Sequence, residues 1–169
     1  MVIKKSLSVV LCILVFYTSN AQKNASGQFK KIIFETTGCM GKCPAYYLQI
    51  DNKKQAKLFA MAVYKDPDDV WGTRSLDSSK MGYFCGGINN TTYDKLIKIL
   101  QTSTGDSICC GQQGYDGSIT TIIIYHNRKR KYLRAMFLSS TANNLFNLLF
   151  DICKRNDFLR SRKKFSIEN

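Results

Sequence analysis

The chain has 169 residues, of which 25 are Lys or Arg and 12 are Asp or Glu, and its formal net charge is +13 at pH 7. A chain of this length fits a single domain that buries most of its own apolar surface, so no second domain is expected. The positive charge favours partners such as anionic lipid or acidic glycan, and the export signal described next argues against nucleic acid.

Residues Met1–Ala21 have the layout of a cleavable secretory signal. Lys4 and Lys5 precede an apolar run over 7–17, and a small-residue cleavage site follows at 19–21. The apolar run is roughly half as long as a segment that spans a bilayer, so cleavage is favoured over an uncleaved anchor. We therefore predict a secreted or periplasmic protein with no transmembrane segment once the signal is removed.

The mature chain is predicted to begin with a linker over 22–28, and a single domain follows over 29–160. Alternating apolar and polar residues predict one strand over Phe29–Thr36 and another over Tyr46–Asp51. After a turn, the alternation resumes over Gln55–Tyr64. The second and third strands should therefore form a hairpin.

A long surface loop is predicted over 65–82, leading into a short strand near Met81–Cys85. Trp71 lies in this loop, where an aromatic side chain either covers the edge of a core or serves as a binding platform. The first helix should then begin near Asn90 or Thr91, either of which can cap free N–H groups.

The strongest strand signal is Ser118–His126, whose run of apolar residues predicts a central strand buried on both faces. The glycine-rich stretch before it, 109–117, lacks the flanking strand, helix and lysine of a phosphate-binding loop, so it is not a nucleotide site. A partner strand is predicted over Tyr132–Phe137. A second helix follows, capped within 139–141, and its apolar stripe ends with Cys153, which should face the sheet.

The predicted order of elements is strands, helix, two strands and helix. Short hairpin connections impose antiparallel pairing, and two amphipathic helices would lie on one face of the sheet. The predicted fold is therefore α+β, a two-layer sandwich with a mostly antiparallel sheet. A basic C-terminal tail follows over 161–169.

Removal of the signal removes Cys12 and leaves six cysteines, an even number that suits a disulfide set in an oxidising compartment. The structural disulfide candidates are Cys39, Cys43, Cys85, Cys109, Cys110 and Cys153. We predict a Cys39–Cys43 bond that braces a tight turn. Adjacent Cys109 and Cys110 can bond each other only through a strained ring, so each should reach Cys85 or Cys153, in either assignment.

Two other hypotheses for Cys39 and Cys43 stay open. One is a redox pair, although the motif leads into a strand and not onto a helix N-terminus that would lower a thiol pKa. The other is a copper site completed by His126, the only histidine in the chain. This set is similar to the ligands of the copper-delivering thioredoxin-fold chaperones of cytochrome oxidase, although Met40 replaces the first proline of their motif.

Four consecutive basic residues stand between the last two predicted strands: Arg128, Lys129, Arg130 and Lys131. Such a block attracts anionic glycan or lipid, and it equally serves as a solvated turn. Polyanion binding and a purely solubilising role therefore both remain as interpretations of this basic block. The chain carries no highly specific catalytic or metal-binding motif, so no catalytic residue is predicted, and copper is the only cofactor considered.

The stretch that runs Cys39-x-Gly41-x-Cys43-Pro44-x-Tyr46 after the first strand resembles a domain family of unknown function found in exported bacterial proteins. The resemblance covers nearly all of the mature chain. It implies a compact exported domain with no established activity, and it transfers no catalytic residue. We therefore predict a non-enzymatic, disulfide-braced domain that binds an unidentified partner at the cell envelope, with a thiol-redox or copper-handling protein as the alternative.

Overall fold

Seven strands form one sheet in the computed structural model, which describes residues 29–67, 72–102, 116–126 and 129–166. The strands are β1 (Lys31–Thr36), β2 (Ala45–Asp51), β3 (Gln55–Ala62), β4 (Gly82–Gly87), β5 (Thr120–His126), β6 (Lys129–Ala135) and β7 (Leu159–Arg160). Their spatial order is β6-β5-β1-β2-β3-β4-β7, and neighbouring strands pair antiparallel. With two helices in addition, the α+β class and the antiparallel sheet are confirmed.

The middle of the sheet is built from the strands whose apolar residues alternate most clearly. In β1, Ile32 and Phe34 are fully buried in the main core. Phe34 stands opposite Leu48 of β2 and Ile122 of β5, so one layer of large apolar side chains crosses three strands. Strand β5 lies between two neighbours and buries three consecutive isoleucines, as its continuous apolar run predicted: Ile122, Ile123 and Ile124.

Both helices contribute to the same core. The first helix, α1, spans Asn90–Thr102, and the second, α2, spans Ser140–Cys153. Their buried residues share one cluster with the inner side chains of the sheet: Tyr93, Leu96, Ala142, Leu145, Leu149, Ile152 and Cys153. Cys153 therefore faces the core, as its place on the apolar stripe predicted.

The residue that caps the N-terminus agrees with the prediction for α2 and differs from it for α1. Ser139 caps α2, because its Oγ accepts a hydrogen bond from the Ala142 N–H at 3.3 Å. For α1 the capping residue is Asn89, whose Oδ1 accepts from the Thr92 N–H at 2.8 Å, and not Asn90 or Thr91 as predicted. All three residues suit a cap, so composition alone does not select among them.

A smaller cluster lies on the opposite face of the sheet. Ile33, Tyr47 and Ile123 are buried there, and Phe165 packs against them. The Phe165 ring meets the Tyr83 ring edge-on, with 5.0 Å between centroids. Part of the segment predicted as a basic tail over 161–169 therefore contacts the sheet.

Several element bounds differ from the predictions. Strand β6 begins at Lys129 and ends at Ala135, so much of the predicted basic turn belongs to a strand, which an edge strand tolerates because its outer surface is solvated. Strand β7 was not predicted, and it pairs with β4 through only two residues. The signal segment 1–21, the linker 22–28 and Trp71 lie outside the described residues. Within the described ranges, no helix is long and apolar enough to cross a membrane.

Candidate functional site

The connection between β1 and β2 carries the predicted disulfide. Cys39 and Cys43 are bonded, with their Cα atoms 5.5 Å apart. The Cys39 Sγ also accepts a hydrogen bond from the Gly41 N–H at 3.2 Å. Thr36 ties the two strands together below the bond, because its hydroxyl donates to the Pro44 carbonyl and accepts from the Tyr46 N–H, each at 3.1 Å. The turn is thus braced by a covalent bond and by a buried threonine.

Replacing both bonded cysteines with serine is expected to lower the free energy of unfolding by about 2 kcal/mol, because a loop this short restricts the unfolded chain only modestly. Urea denaturation of the double variant Cys39→Ser/Cys43→Ser against the oxidised parent measures the loss. The matched control is Cys85→Ser, which removes a free thiol. A loss above about 4 kcal/mol would show that the bond holds more of the fold than its own turn.

Two of the remaining cysteines lie in the described part of the chain. Cys85 and Cys153 are free thiols. Cys153 is in the main core, whereas Cys85 alternates with the core-packed Phe84 along β4 and so points to the other face of the sheet. Their predicted partners, Cys109 and Cys110, lie outside the described residues.

The structure does not assemble the three residues of the copper hypothesis. The disulfide turn follows Thr36, which stands opposite Thr120 at the start of β5. His126 is at the other end of β5, so about 20 Å of strand separates it from the cysteines. In the described part of the chain, no group of three or more His, Cys, Asp or Glu side chains is arranged to hold a metal ion.

The basic block lies on β6, at the edge of the sheet opposite to β7. Lys129, Arg130 and Lys131 are exposed on β6, and the Arg130 guanidinium stacks on the Tyr132 ring at 5.2 Å. Arg128 lies outside the described residues. These side chains remain candidates for polyanion binding, and none of them lines the cleft described next.

A cleft of about 980 Å³ opens at the end of the sheet where β1 ends and β2 begins, beside the disulfide turn. One wall is the α2 face that carries Phe146 and Phe150, whose rings stack at 5.3 Å. Phe84 of β4 and Phe158, which follows α2, also line the cleft. Phe137, at its margin, is 60% exposed although it is a large apolar side chain. The cleft is therefore open to solvent and largely aromatic.

Cationic groups surround this aromatic wall. The cationic lining residues are Lys42, Lys65, Lys80, Lys154 and Arg155, and the lining contains no Asp, Glu or His among the described residues. Lys42 is 9% exposed, and its ammonium donates to the Asp66 carbonyl at 3.3 Å. The Lys154 ammonium lies 4.4 Å from the centroid of the Phe150 ring. The cleft thus combines an apolar surface with excess positive charge.

Two ionisable groups in the cleft stay neutral near neutral pH. Burial, with a smaller contribution from Cys153, raises the pKa of Tyr46 to about 12. Burial also raises the pKa of the Cys153 thiol well above its ordinary value. Neither a thiolate nor a phenolate is therefore available there as a nucleophile or base at pH 7.

Sequence reasoning missed this cleft because no contiguous motif marks it. Its lining residues come from several separate segments between Thr36 and Phe158 and share no spacing. The only local signal was the pair Phe146 and Phe150, four residues apart on one face of α2. Because that pair extends the predicted apolar stripe of the helix, the sequence pattern assigns both residues to the core and not to a ligand site.

The fold and the cleft define a small α+β domain with a disulfide-braced turn and an apolar, cation-rimmed cleft. The model of the family described as Domain of unknown function (DUF6438) matches residues 30–154, and the chain belongs to this family. The match includes six of the seven strands and both helices, and it ends just before Arg155 and Phe158. Membership in a domain family of unknown function was the sequence prediction, and it is confirmed. No curated protein shows significant similarity to the chain.

Proposed function

We propose that this protein is a non-enzymatic, disulfide-braced exported module that binds the apolar body of a ligand in the cleft at the cell envelope. The observation that carries the proposal is the cleft itself, about 980 Å³ and lined by phenyl rings from α2, β4 and the segment after α2. Ligand sites commonly have volumes of about 300–1,000 Å³ and mostly apolar walls with a few polar groups. Export rests on the sequence of Met1–Ala21.

The character of the lining supports binding over catalysis. A general acid or base is most often a His, Asp or Glu side chain, and the described lining residues include none of these. The Cys153 thiol and the Tyr46 hydroxyl are held neutral by burial. The other described lining residues are apolar, uncharged polar or cationic.

The thiol-redox and copper-handling alternative lacks a favouring observation. Cys39 and Cys43 are bonded in a turn that leads into β2 and not into a helix, and His126 is at the opposite end of β5. In this proposal the disulfide instead holds Lys42, Cys43 and Pro44 against the mouth of the cleft, where all three line it.

The proposal is tested with a neutral fluorescent probe, Nile red, whose emission rises in apolar surroundings. Phe137→Asp is expected to weaken probe binding about tenfold, because it replaces an exposed apolar ring at the mouth with a hydrated charge. Fluorescence titration at pH 7.5 gives the dissociation constant.

The control for this substitution is Tyr132→Asp, which makes the same kind of change at a 48% exposed aromatic residue outside the cleft. It should leave probe binding unchanged. Equal loss in both variants, or no saturable binding to the parent protein, would refute a ligand site in the cleft.

A further inference from the structure

We propose that the ligand of the cleft is a long-chain carboxylate, a fatty acid, with its tail along the aromatic wall and its carboxylate at Arg155. This inference rests on the proposed function, because it names the ligand class of the same cleft. Three observations carry it: the charge of the lining, a buried guanidinium nitrogen without a partner, and the phenyl rings of the walls.

The charge of the lining favours an anion. Five cationic side chains line the cleft, and the described lining residues include no carboxylate. In the described part of the chain, Asp77 holds Lys80 with 3.4 Å between nitrogen and oxygen, and Asp157 pairs with Arg155. In a low-dielectric cleft such an excess attracts an anion more strongly than it would in open water.

Arg155 provides a donor that the protein does not satisfy. Its Nε donates to Asp157 Oδ1 at 2.8 Å, and its Nη2 pairs with Asp157 Oδ2. Its Nη1 is buried and is the one buried side-chain nitrogen or oxygen without a hydrogen-bond partner in the described structure. A buried, unpaired donor of a charged group costs folding free energy. A ligand oxygen that accepts from Nη1, once a side-chain shift opens this atom to the cleft, recovers that cost on binding.

The chemistry of guanidinium explains why the acceptor is a carboxylate. The Asp157 carboxylate holds the Arg155 guanidinium. Because the Asp157 side chain is 57% exposed, this ion pair lies on the solvent side of the guanidinium. The guanidinium plane is also held by the Phe158 ring, 5.7 Å away. Oriented guanidinium N–H groups form short, charge-assisted bonds to carboxylate oxygens.

The walls of the cleft favour an alkyl tail over a peptide. A bound peptide brings backbone N–H and C=O groups that need partners when buried. Two hydroxyls of the wall are engaged already: Thr36 bonds Pro44 and Tyr46, and the Ser118 hydroxyl donates to the Thr37 carbonyl. The phenyl rings of the wall offer a peptide backbone no hydrogen-bond partner. An alkyl chain has no such requirement, and it gains about 0.8 kcal/mol for each buried methylene, or about fourfold in affinity.

The test compares dodecanoate with 1-dodecanol in displacement of Nile red from the intact mature protein at pH 7.5. Dodecanoate is expected to bind at least tenfold more tightly than the alcohol. From octanoate to decanoate to dodecanoate, affinity should rise about fourfold per methylene. Arg155→Gln should remove most of the preference for the acid and leave the affinity for dodecanol unchanged.

Two further variants keep the test independent of folding defects. Asp157→Asn frees the guanidinium charge, so it should increase dodecanoate affinity while dodecanol affinity stays constant. Lys95→Gln removes an exposed cation of α1 outside the cleft and should change neither affinity. A general electrostatic effect of the basic protein would instead lower dodecanoate binding in both Arg155→Gln and Lys95→Gln, which would overturn the assignment to Arg155.

The remaining outcomes separate this inference from the proposed function. Equal affinity for acid and alcohol would overturn the carboxylate and leave an apolar ligand site in place. Tighter displacement by an aspartate-rich hexapeptide than by dodecanoate would replace the fatty acid with an acidic peptide. If Nile red and all three acids fail to bind, both proposals fall together.

Discussion

Phe34→Ala is expected to lower the free energy of unfolding by about 3–5 kcal/mol, the usual cost of removing a large aromatic side chain from a packed core. Phe34 is fully buried in the centre of the sheet. Its ring meets that of Phe146 on α2 edge-on, with 5.7 Å between centroids. The substitution therefore opens a cavity where β1 and α2 pack together, and a rigid sheet closes such a cavity only in part.

Urea denaturation followed by far-ultraviolet circular dichroism measures the loss, with an unchanged m-value as the sign that the denatured state is the same. Phe137→Ala is the matched control, because that ring is 60% exposed and its removal should cost less than about 0.5 kcal/mol. Phe34→Leu, which keeps most of the apolar volume, should fall between them. Similar losses at positions 34 and 137 would mean that α2 does not pack on β1.

The elements that sequence predicted best are those in which burial and local propensity agree. Strand β5 combines β-branched residues with burial on both faces, and the stripe Leu145, Leu149 and Ile152 of α2 repeats at helical spacing. The disulfide turn was predicted from two cysteines four residues apart, with a redox pair and a copper site left open as alternatives. In each case a few neighbouring residues determine the structure.

The features that sequence did not predict depend on contacts between distant residues. Strand β7 has two exposed residues and exists because Leu159 and Arg160 pair with β4, more than seventy positions earlier. The cleft likewise forms where several strand ends meet the last turn of α2. Arg155 differs from the other basic residues of the cleft in the burial of its Nη1 atom, and this burial cannot be predicted from composition or spacing.

The disulfide and the cleft lie at the same end of the sheet, and this placement suggests why the turn is braced. Lys42 and Cys43 line the cleft, and the Lys42 ammonium reaches across to the Asp66 carbonyl of the segment after β3. A bond that fixes this turn reduces the motion of one side of the mouth. Under the proposed function, the brace orders the site before the ligand arrives, which lowers the entropy cost of binding.

The stability of the protein is expected to fall as pH rises through the alkaline range, in large part because of Tyr46. Burial raises the pKa of Tyr46 from its ordinary value of 10.0 to about 12. Below pH 10 the hydroxyl is protonated in the folded and unfolded states, so its contribution to stability is fully present. Between pH 10 and 12 the unfolded state ionises before the folded state, so this contribution is lost progressively, by about 1 kcal/mol for each pH unit.

Tyr46→Phe isolates this contribution, because phenylalanine keeps the edge-on contact with Phe150 and has no proton to lose. Between pH 9 and pH 11 the parent protein should lose about 1 kcal/mol more than Tyr46→Phe in urea denaturation. Tyr93, whose pKa is also raised by burial, contributes equally to both proteins and cancels in the comparison. Tyr132→Phe, at a half-exposed ring, should follow the parent curve. Parallel curves for the parent and Tyr46→Phe would show that the hydroxyl ionises in the folded state, and therefore that the floor of the cleft is open to water.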